Sequence, residues 1–332
     1  MGEGSTDTPQ GVGHGGGREA SHPLANHVPV LLKEAIDFLN VRRGGTYIDA
    51  TVGLGGHSYE IAKRLGAPGH LIGLDKDPAA LERAKAVLGV RSSVLGGSGG
   101  QSPKTYDLKP DWPTIELRQG SFAELADDRR LRADGLLADI GVSSLQLSDA
   151  ARGFSFQADG PLDMRMDPQS ERTAEQVVNH LDERELADVI YEFGEERRSR
   201  RIARAIVRSR PIRSTAHLAD VISAAARPMN QAERRIHPAT RTFQALRIFV
   251  NRELDDLRGL LKAAPQVLKP GGRVVVISFH SLEDRIVKDA FRDGLKGKYF
   301  RVLTKKPVTA PEEEIDRNPR ARSAKLRAAE RI

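Results

Sequence analysis

Two apolar periods alternate along this chain. Leu32, Ala35, Ile36 and Leu39 recur at helical spacing and predict a helix in the segment from Val28 to Leu39. The run Thr46–Asp49 predicts a short strand, followed by the glycine turn Gly53-Leu54-Gly55-Gly56 and a helix from about His57 to Leu65, stopped by Gly66. A second strand over His70–Asp75, a helix over Pro78–Leu88, a third strand over Thr114–Arg118 and a fourth over Gly135–Asp139 continue the alternation. Strand–helix alternation of this kind predicts an open α/β sheet with parallel strands.

From about residue 149 to 239 only the helical period remains. Helices are expected at Thr173–His180, Glu183–Phe193, Arg197–Arg208 and Thr215–Ala226. A long amphipathic helix over Arg241–Leu261 follows, with Leu246, Val250, Leu254, Leu257 and Leu261 as its stripe and Gln244, Arg247 and Asn251 as a polar ridge beside it. Lys269–Gly272 reads as a turn into the strand Arg273–Phe279, and His280 opens a helix to about Phe291. Tyr299–Val308 and Ala324–Ala329 read as final strands. Two stretches lack any period: the Gly-rich residues 1–23, expected to be a disordered tail, and the Gly/Ser-rich residues 89–113, expected to be a flexible insertion. The organisation is thus an α/β domain in two parts, 24–148 and 240–332, interrupted by an all-helical insertion at 149–239.

Composition narrows the chemistry. The 332 residues are 39% hydrophobic, enough for a core, but only 5% aromatic, so aliphatic side chains must fill it. The absence of cysteine excludes disulfides, cysteine-held zinc or iron–sulfur clusters and a cysteine nucleophile. No apolar run approaches the roughly 20 residues of a membrane span, and the N-terminus lacks a signal-peptide core; a soluble, cytoplasmic protein is expected. A net charge of +7 favours a polyanionic partner, although an arginine-rich composition alone produces such a charge. The arginines concentrate. Arg197, Arg200, Arg201, Arg204 and Arg208 share one predicted helix, with Ile202, Ala205, Ile206 and the stem of Arg198 turned inward and only Glu195 and Glu196 nearby. That excess suits phosphate contact as well as a solvated face.

Three predicted strands end in acids: Asp49, Asp75 and Asp139. Open α/β sheets bind ligands at that edge, and a carboxylate about twenty residues past a glycine turn meets ribose hydroxyls. Asp75 fits that role, or caps the next helix. Phe122 follows the third strand and either covers a purine ring or sits in the core. A nicotinamide dinucleotide and S-adenosylmethionine are the two candidate ligands. The G-x-G-x-x-G pattern is missing and Asp49 would repel a pyrophosphate, which favours the cationic S-adenosylmethionine. There is no P-loop lysine and no metal triad. Methyl transfer needs positioning above all. Without cysteine, pyrimidine C5 is excluded as acceptor, leaving amines, ring nitrogens and hydroxyls. Asp139 is placed to accept a hydrogen bond from an exocyclic amine, and His280 is a candidate proton acceptor or a structural helix-start histidine.

Several segments together resemble one family: DATVGLGGH at Asp49–His57, LDKDP at Leu74–Pro78, DIGVSSLQ at Asp139–Gln146, RGFSF at Arg152–Phe156, DGPLDMRMD at Asp159–Asp167, RIARAIV at Arg201–Val207, HPATRTFQALRIFVN at His237–Asn251, ISFHSLEDRIVK at Ile277–Lys288 and NPRARS at Asn318–Ser323. The chain resembles the bacterial ribosomal RNA small subunit methyltransferase H family. The resemblance implies a Rossmann-like S-adenosylmethionine-dependent methyltransferase sheet with an all-helical inserted domain that binds substrate. It implies cofactor contacts at Gly55, Gly56, His57, Asp75, Phe122, Asp139 and Gln146, with Asp49 in support. It implies methylation of the exocyclic N4 of a cytidine in the decoding region of 16S rRNA, within the small ribosomal subunit, with no metal and no membrane. The N-terminal tail and residues 89–113 depart from the family pattern. A nonenzymatic ribosome-assembly factor with a retained pocket and a nicotinamide-dependent oxidoreductase are the other readings.

Overall fold

The computed structural model describes Met1 and residues 29–90, 111–128, 130–226 and 237–332. The predicted tail after Met1 and residues 91–110 of the predicted insertion lie outside the described residues. The first part of the chain runs α1 (Leu32–Leu39), β1 (Thr46–Asp49), α2 (Gly56–Leu65), β2 (His70–Asp75), α3 (Pro78–Leu88), β3 (Thr114–Gln119), β4 (Ala133–Asp139) and α4 (Ser144–Ser148). Four helices follow without a strand: α5 (Ala174–His180), α6 (Glu183–Gly194), α7 (Ser199–Arg208) and α8 (Thr215–Ala225). The chain then returns through α9 (Thr240–Asn251), α10 (Glu253–Val267), β5 (Leu268–Ser278), α11 (Ser281–Lys296), β6 (Phe300–Val302), α12 (Glu312–Arg317) and β7 (Lys325–Arg331).

The seven strands lie in the order β3-β2-β1-β4-β5-β7-β6. β1 to β5 pair in parallel, and β7 joins antiparallel to both β5 and β6. Successive strand residues serve opposite faces. Tyr47, Leu71, Leu137 and Val275 enter one apolar cluster, while Ile48, Ile72, Leu136 and Val274 enter another. Burial on both faces is what parallel strands require, and it explains why these strands read as continuous apolar runs. The chain steps from β1 outward to β3, then returns to place β4 on the other side of β1. That reversal leaves a crevice beyond the carboxyl ends of β1 and β4.

A third cluster joins Phe154, Met164, Val177, Ile190, Ile202 and Leu218 to Phe243, Leu246 and Val250 of α9. On α7 the inward residues are Ile202, Ala203 and Ile206; Ala205 is only partly buried.

Three expectations need correction. The predicted helix Arg241–Leu261 is two helices, because Arg252 adopts φ 52°, ψ 36° and breaks the hydrogen-bond ladder between α9 and α10. The turn at Lys269–Gly272 lies inside β5, where the register jumps from Ala133↔Leu268 to Gly135↔Arg273. The strand expected over Tyr299–Val308 shrinks to Phe300–Val302, with one further bridge from Val308 to Leu326.

Candidate functional site

Strand ends and the turns after them build the site. Asp49 closes β1 fully buried, accepting from Ser58 Oγ at 2.6 Å and from the Thr51 amide at 3.1 Å. Burial pushes its pKa up to about 6 despite those donors. The glycine turn follows with Gly53 at φ 52° and Gly55 at φ 84°, a region glycine enters without the Cβ penalty. A Cβ on Gly55 would stand 3.2 Å from Ala84 Cα, so this glycine lets α2 close on α3. At the end of β2, Asp75 accepts the Gly53 amide at 2.8 Å and the Asp77 amide at 2.9 Å. Burial lifts its pKa to about 6 as well. At the end of β4, Asp139 donates its amide to Thr51 Oγ1 at 2.6 Å, while its carboxyl lies 3.7 Å from His57 Nδ1. Burial, then the charges of Asp49 and Glu283, raise the Asp139 pKa well above the ordinary carboxylate range. Asp139 Oδ1 is buried and has no hydrogen-bond partner among the described residues. His57 is buried with Nε2 3.1 Å from the Val30 carbonyl. A carbonyl only accepts, so Nε2 carries the proton and Nδ1 faces the Asp139 carboxyl.

A cavity of about 460 Å³ opens over these groups. Gly53, Gly56, His57, Asp75, Phe122, Asp139 and Gln146 all line it. Gly55 does not, and its part is the packing on α3 just described. Asp49 stands behind the wall. Gln146 holds the Ser143 amide on Oε1 at 3.0 Å and donates from Nε2 to Asp77 at 2.9 Å, so it braces the loop Ile140–Ser143. His280 is not brought to the cavity. It is the N-cap of α11, with Nδ1 3.4 Å from the Glu283 amide and Nε2 3.0 Å from Glu283 Oε1. Both ring nitrogens thus face Glu283, the arrangement of the structural helix-start histidine that was the other reading. Arg200, Arg201, Arg204 and Arg208 of α7, and Arg197 just ahead of it, are exposed and outside the cavity lining, and Arg204 pairs with Glu183 at 3.1 Å.

Residues 24–332 match the family described as the MraW methylase family. The chain belongs to that family. Ribosomal RNA small subunit methyltransferase H of Koribacter versatilis is 70% identical over 307 residues, covering 92% of this chain and 94% of the relative. The protein of the same name from Acidobacterium capsulatum is 61% identical, covering 92% and 98%. A crystal structure described as a putative rRNA-methylase from Clostridium thermocellum aligns over 92% of this chain and 100% of that one, at 13% identity and TM-score 0.43.

This methylase uses S-adenosylmethionine, and its residues fit that group. Asp49, Asp75 and Asp139 crowd one end of the cavity with their pKa values raised. A sulfonium and an ammonium beside them favour the ionised forms. Each Asp75 oxygen accepts one backbone amide and keeps a lone pair for a hydroxyl. Phe122 offers an apolar face at the same edge.

Other lining residues escaped the sequence reading. Arg247 grips Glu253 through two hydrogen bonds at 2.8 and 3.0 Å, and Lys76 pairs with Asp256 while donating to the Asn251 carbonyl at 2.7 Å. In the sequence Arg247 belongs to a polar ridge with Gln244 and Asn251 and to the run HPATRTFQALRIFVN, neither of which marks it as a lining residue. Arg317, Asn318, Arg320 and Ser323 also line the cavity, from a segment near the C-terminus. The quoted run NPRARS was the only signal for Asn318, Arg320 and Ser323, and Arg317 had none.

Proposed function

We propose that the chain transfers the methyl group of S-adenosylmethionine to the exocyclic N4 of a cytidine in the decoding region of 16S rRNA. The relatives' names support the rRNA substrate. The observation that carries the choice of an amine is Asp139: a partly buried carboxyl at the cavity wall whose Oδ1 is buried and unpartnered among the described residues. An amine conjugated to a pyrimidine ring has its lone pair delocalised. A carboxylate accepting one of its protons draws that pair back toward nitrogen and orients it. When bound, S-adenosylmethionine supplies an electrophilic methyl on a sulfonium. The chain supplies placement: Asp75 and Phe122 fix one end, and the loop Ile140–Ser143, braced by Gln146, shapes the wall next to Asp139. The absence of cysteine rules out the covalent route to C5. Exposed arginines of α7 meet the RNA backbone, within the free rRNA or the small subunit.

Incubation with labelled cofactor and small-subunit rRNA or assembled subunits, then mapping of the label, tests this reading. Label on cytidine N4 is expected. Label on C5, on another RNA class, or on no RNA overturns it. Asp139→Ala should lower kcat by about 10²- to 10⁴-fold while the protein still melts cooperatively.

A further inference from the structure

The cavity is polarised. One end carries Asp49, Asp75 and Asp139 in or behind its wall. Of the lysine and arginine side chains lining it, Lys76 and Arg247 are each committed to a carboxylate, Asp256 and Glu253. The other two are Arg317 and Arg320. Among the described residues neither has a carboxylate within ion-pair distance, and both are exposed. Among the described residues the only side-chain bond of the pair runs from Arg320 Nη1 to Ser144 Oγ, which holds the guanidinium against the loop that follows Asp139. The remaining donors of that rigid fork stay available to an anion.

The segment carrying them is anchored. Glu314 accepts the Leu31 amide at 2.7 Å, and Asn318 accepts the Arg320 amide at 3.3 Å to start a short 3-10 turn over Pro319–Ser323. Ala321 and Ala324 are buried in the core beneath. The backbone that carries the two arginines is therefore held at the rim, by a hydrogen bond on one side and by packing on the other. Two neighbouring guanidiniums with no carboxylate partner among the described residues suit a phosphate.

Resting on the methyl transfer to RNA proposed above, we propose that Arg317 and Arg320 form a backbone-phosphate subsite. They hold the phosphodiester next to the target nucleotide so that its base enters the cavity toward Asp139. The acidic end takes the cationic cofactor and the basic rim takes the anionic strand, so each is repelled from the other's place. The contact reads no sequence; it sets register and orientation.

The test uses the full chain with a 16S rRNA fragment and S-adenosylhomocysteine, comparing wild type with Arg317→Gln, Arg320→Gln, the double variant and Arg320→Lys. RNA affinity is measured by titration against salt concentration, and S-adenosylhomocysteine affinity by calorimetry. The slope of log affinity against log salt should fall by about 0.7 to 0.9 for each arginine removed. RNA affinity should drop several-fold per glutamine while S-adenosylhomocysteine affinity stays within about twofold, and Arg320→Lys should keep the wild-type slope. An unchanged slope in the double variant overturns the subsite. So does a parallel loss of S-adenosylhomocysteine affinity, which would assign the arginines to the amino-acid carboxylate of the cofactor. A wild type that binds the fragment with these slopes yet methylates no RNA sinks the proposed function and leaves the subsite standing.

Discussion

Asp49 carries a conflict between burial and charge. Its side chain is fully buried, and two hydrogen bonds fall short of offsetting the lost hydration, so its pKa stands at about 6 against an ordinary 3.8. A carboxyl whose folded pKa is raised contributes stability that is fully present below the unfolded value and is lost as pH rises through the folded one. The ligand-free chain should therefore lose stability between about pH 4 and pH 6, on the order of 2–3 kcal/mol from this residue. Asp49→Asn removes the ionisation. Thermal melts of the ligand-free protein should show the variant level with wild type at pH 4 and more stable at pH 7. Equal melting temperatures at pH 7 would mean that Asp49 ionises there without cost. Asp139, where burial acts together with the neighbouring charges of Asp49 and Glu283, shows the same conflict in stronger form. Strand-end position made Asp75 and Asp139 readable from sequence, because a polar residue after an apolar run marks the sheet edge. His280 shares that position, yet its ring turns to Glu283, and no sequence spacing reveals which way a strand-end side chain turns.

Asp77 ties elements together. Its Oδ1 caps α3 through the Ala79 amide at 3.0 Å. Its Oδ2 receives Gln146 Nε2 from α4 and Arg152 Nη1, both at 2.9 Å. Arg152 in turn donates to the carbonyls of Arg165 and Met166, and Met166 lines the cavity. One buried carboxylate thereby joins the exit of β2, the loop after β4 and the loop that leads into the inserted helices. Asp77→Ala should cost about 3–5 kcal/mol in urea unfolding, since it strands the Arg152 guanidinium and removes a cap. Asp77→Asn keeps the cap and should cost about half as much; an alanine cost below about 1 kcal/mol would mean that solvent replaces the pairing. At this scale helix starts were legible where a side chain caps: Thr173, Asp182 and Ser214 accept the amides of Gln176, Glu185 and His217. The break at Arg252 was not legible. The apolar stripe runs through it in phase, and one residue at positive φ leaves no mark on periodicity.

At the scale of the whole molecule, charge is sorted by place. Acids gather at the carboxyl edge of the sheet, two arginines with no carboxylate partner among the described residues stand at the cavity rim, and a second group of arginines faces outward on α7. The open sheet of parallel strands followed from local strand–helix units and was readable; the strand order was not. The return of Arg317 and Arg320 to a cavity begun by β1 was not, because that closure joins residues more than 250 positions apart, which no local pattern encodes. The α7 group has its own consequence. Ile202, Ala203 and Ile206 anchor the helix in the inserted core, so its exposed arginines can be changed without disturbing packing. Among the described residues only Arg204 of the five has a carboxylate partner, the exposed Glu183, and such a surface pair contributes little to stability. Replacing Arg200, Arg201 and Arg208 with glutamine should leave the melting temperature within about 2 °C, given the small effect of surface substitutions. S-adenosylhomocysteine affinity should be unchanged. The salt slope of rRNA binding should fall by about 2, since each lost phosphate contact removes about 0.7 of slope on single-stranded RNA. Methylation measured far below RNA saturation should fall with affinity, while turnover at saturating RNA stays near wild type. If affinity and slope hold in the triple variant, the outward arginines are a solvated face and the RNA is gripped at the cavity rim alone.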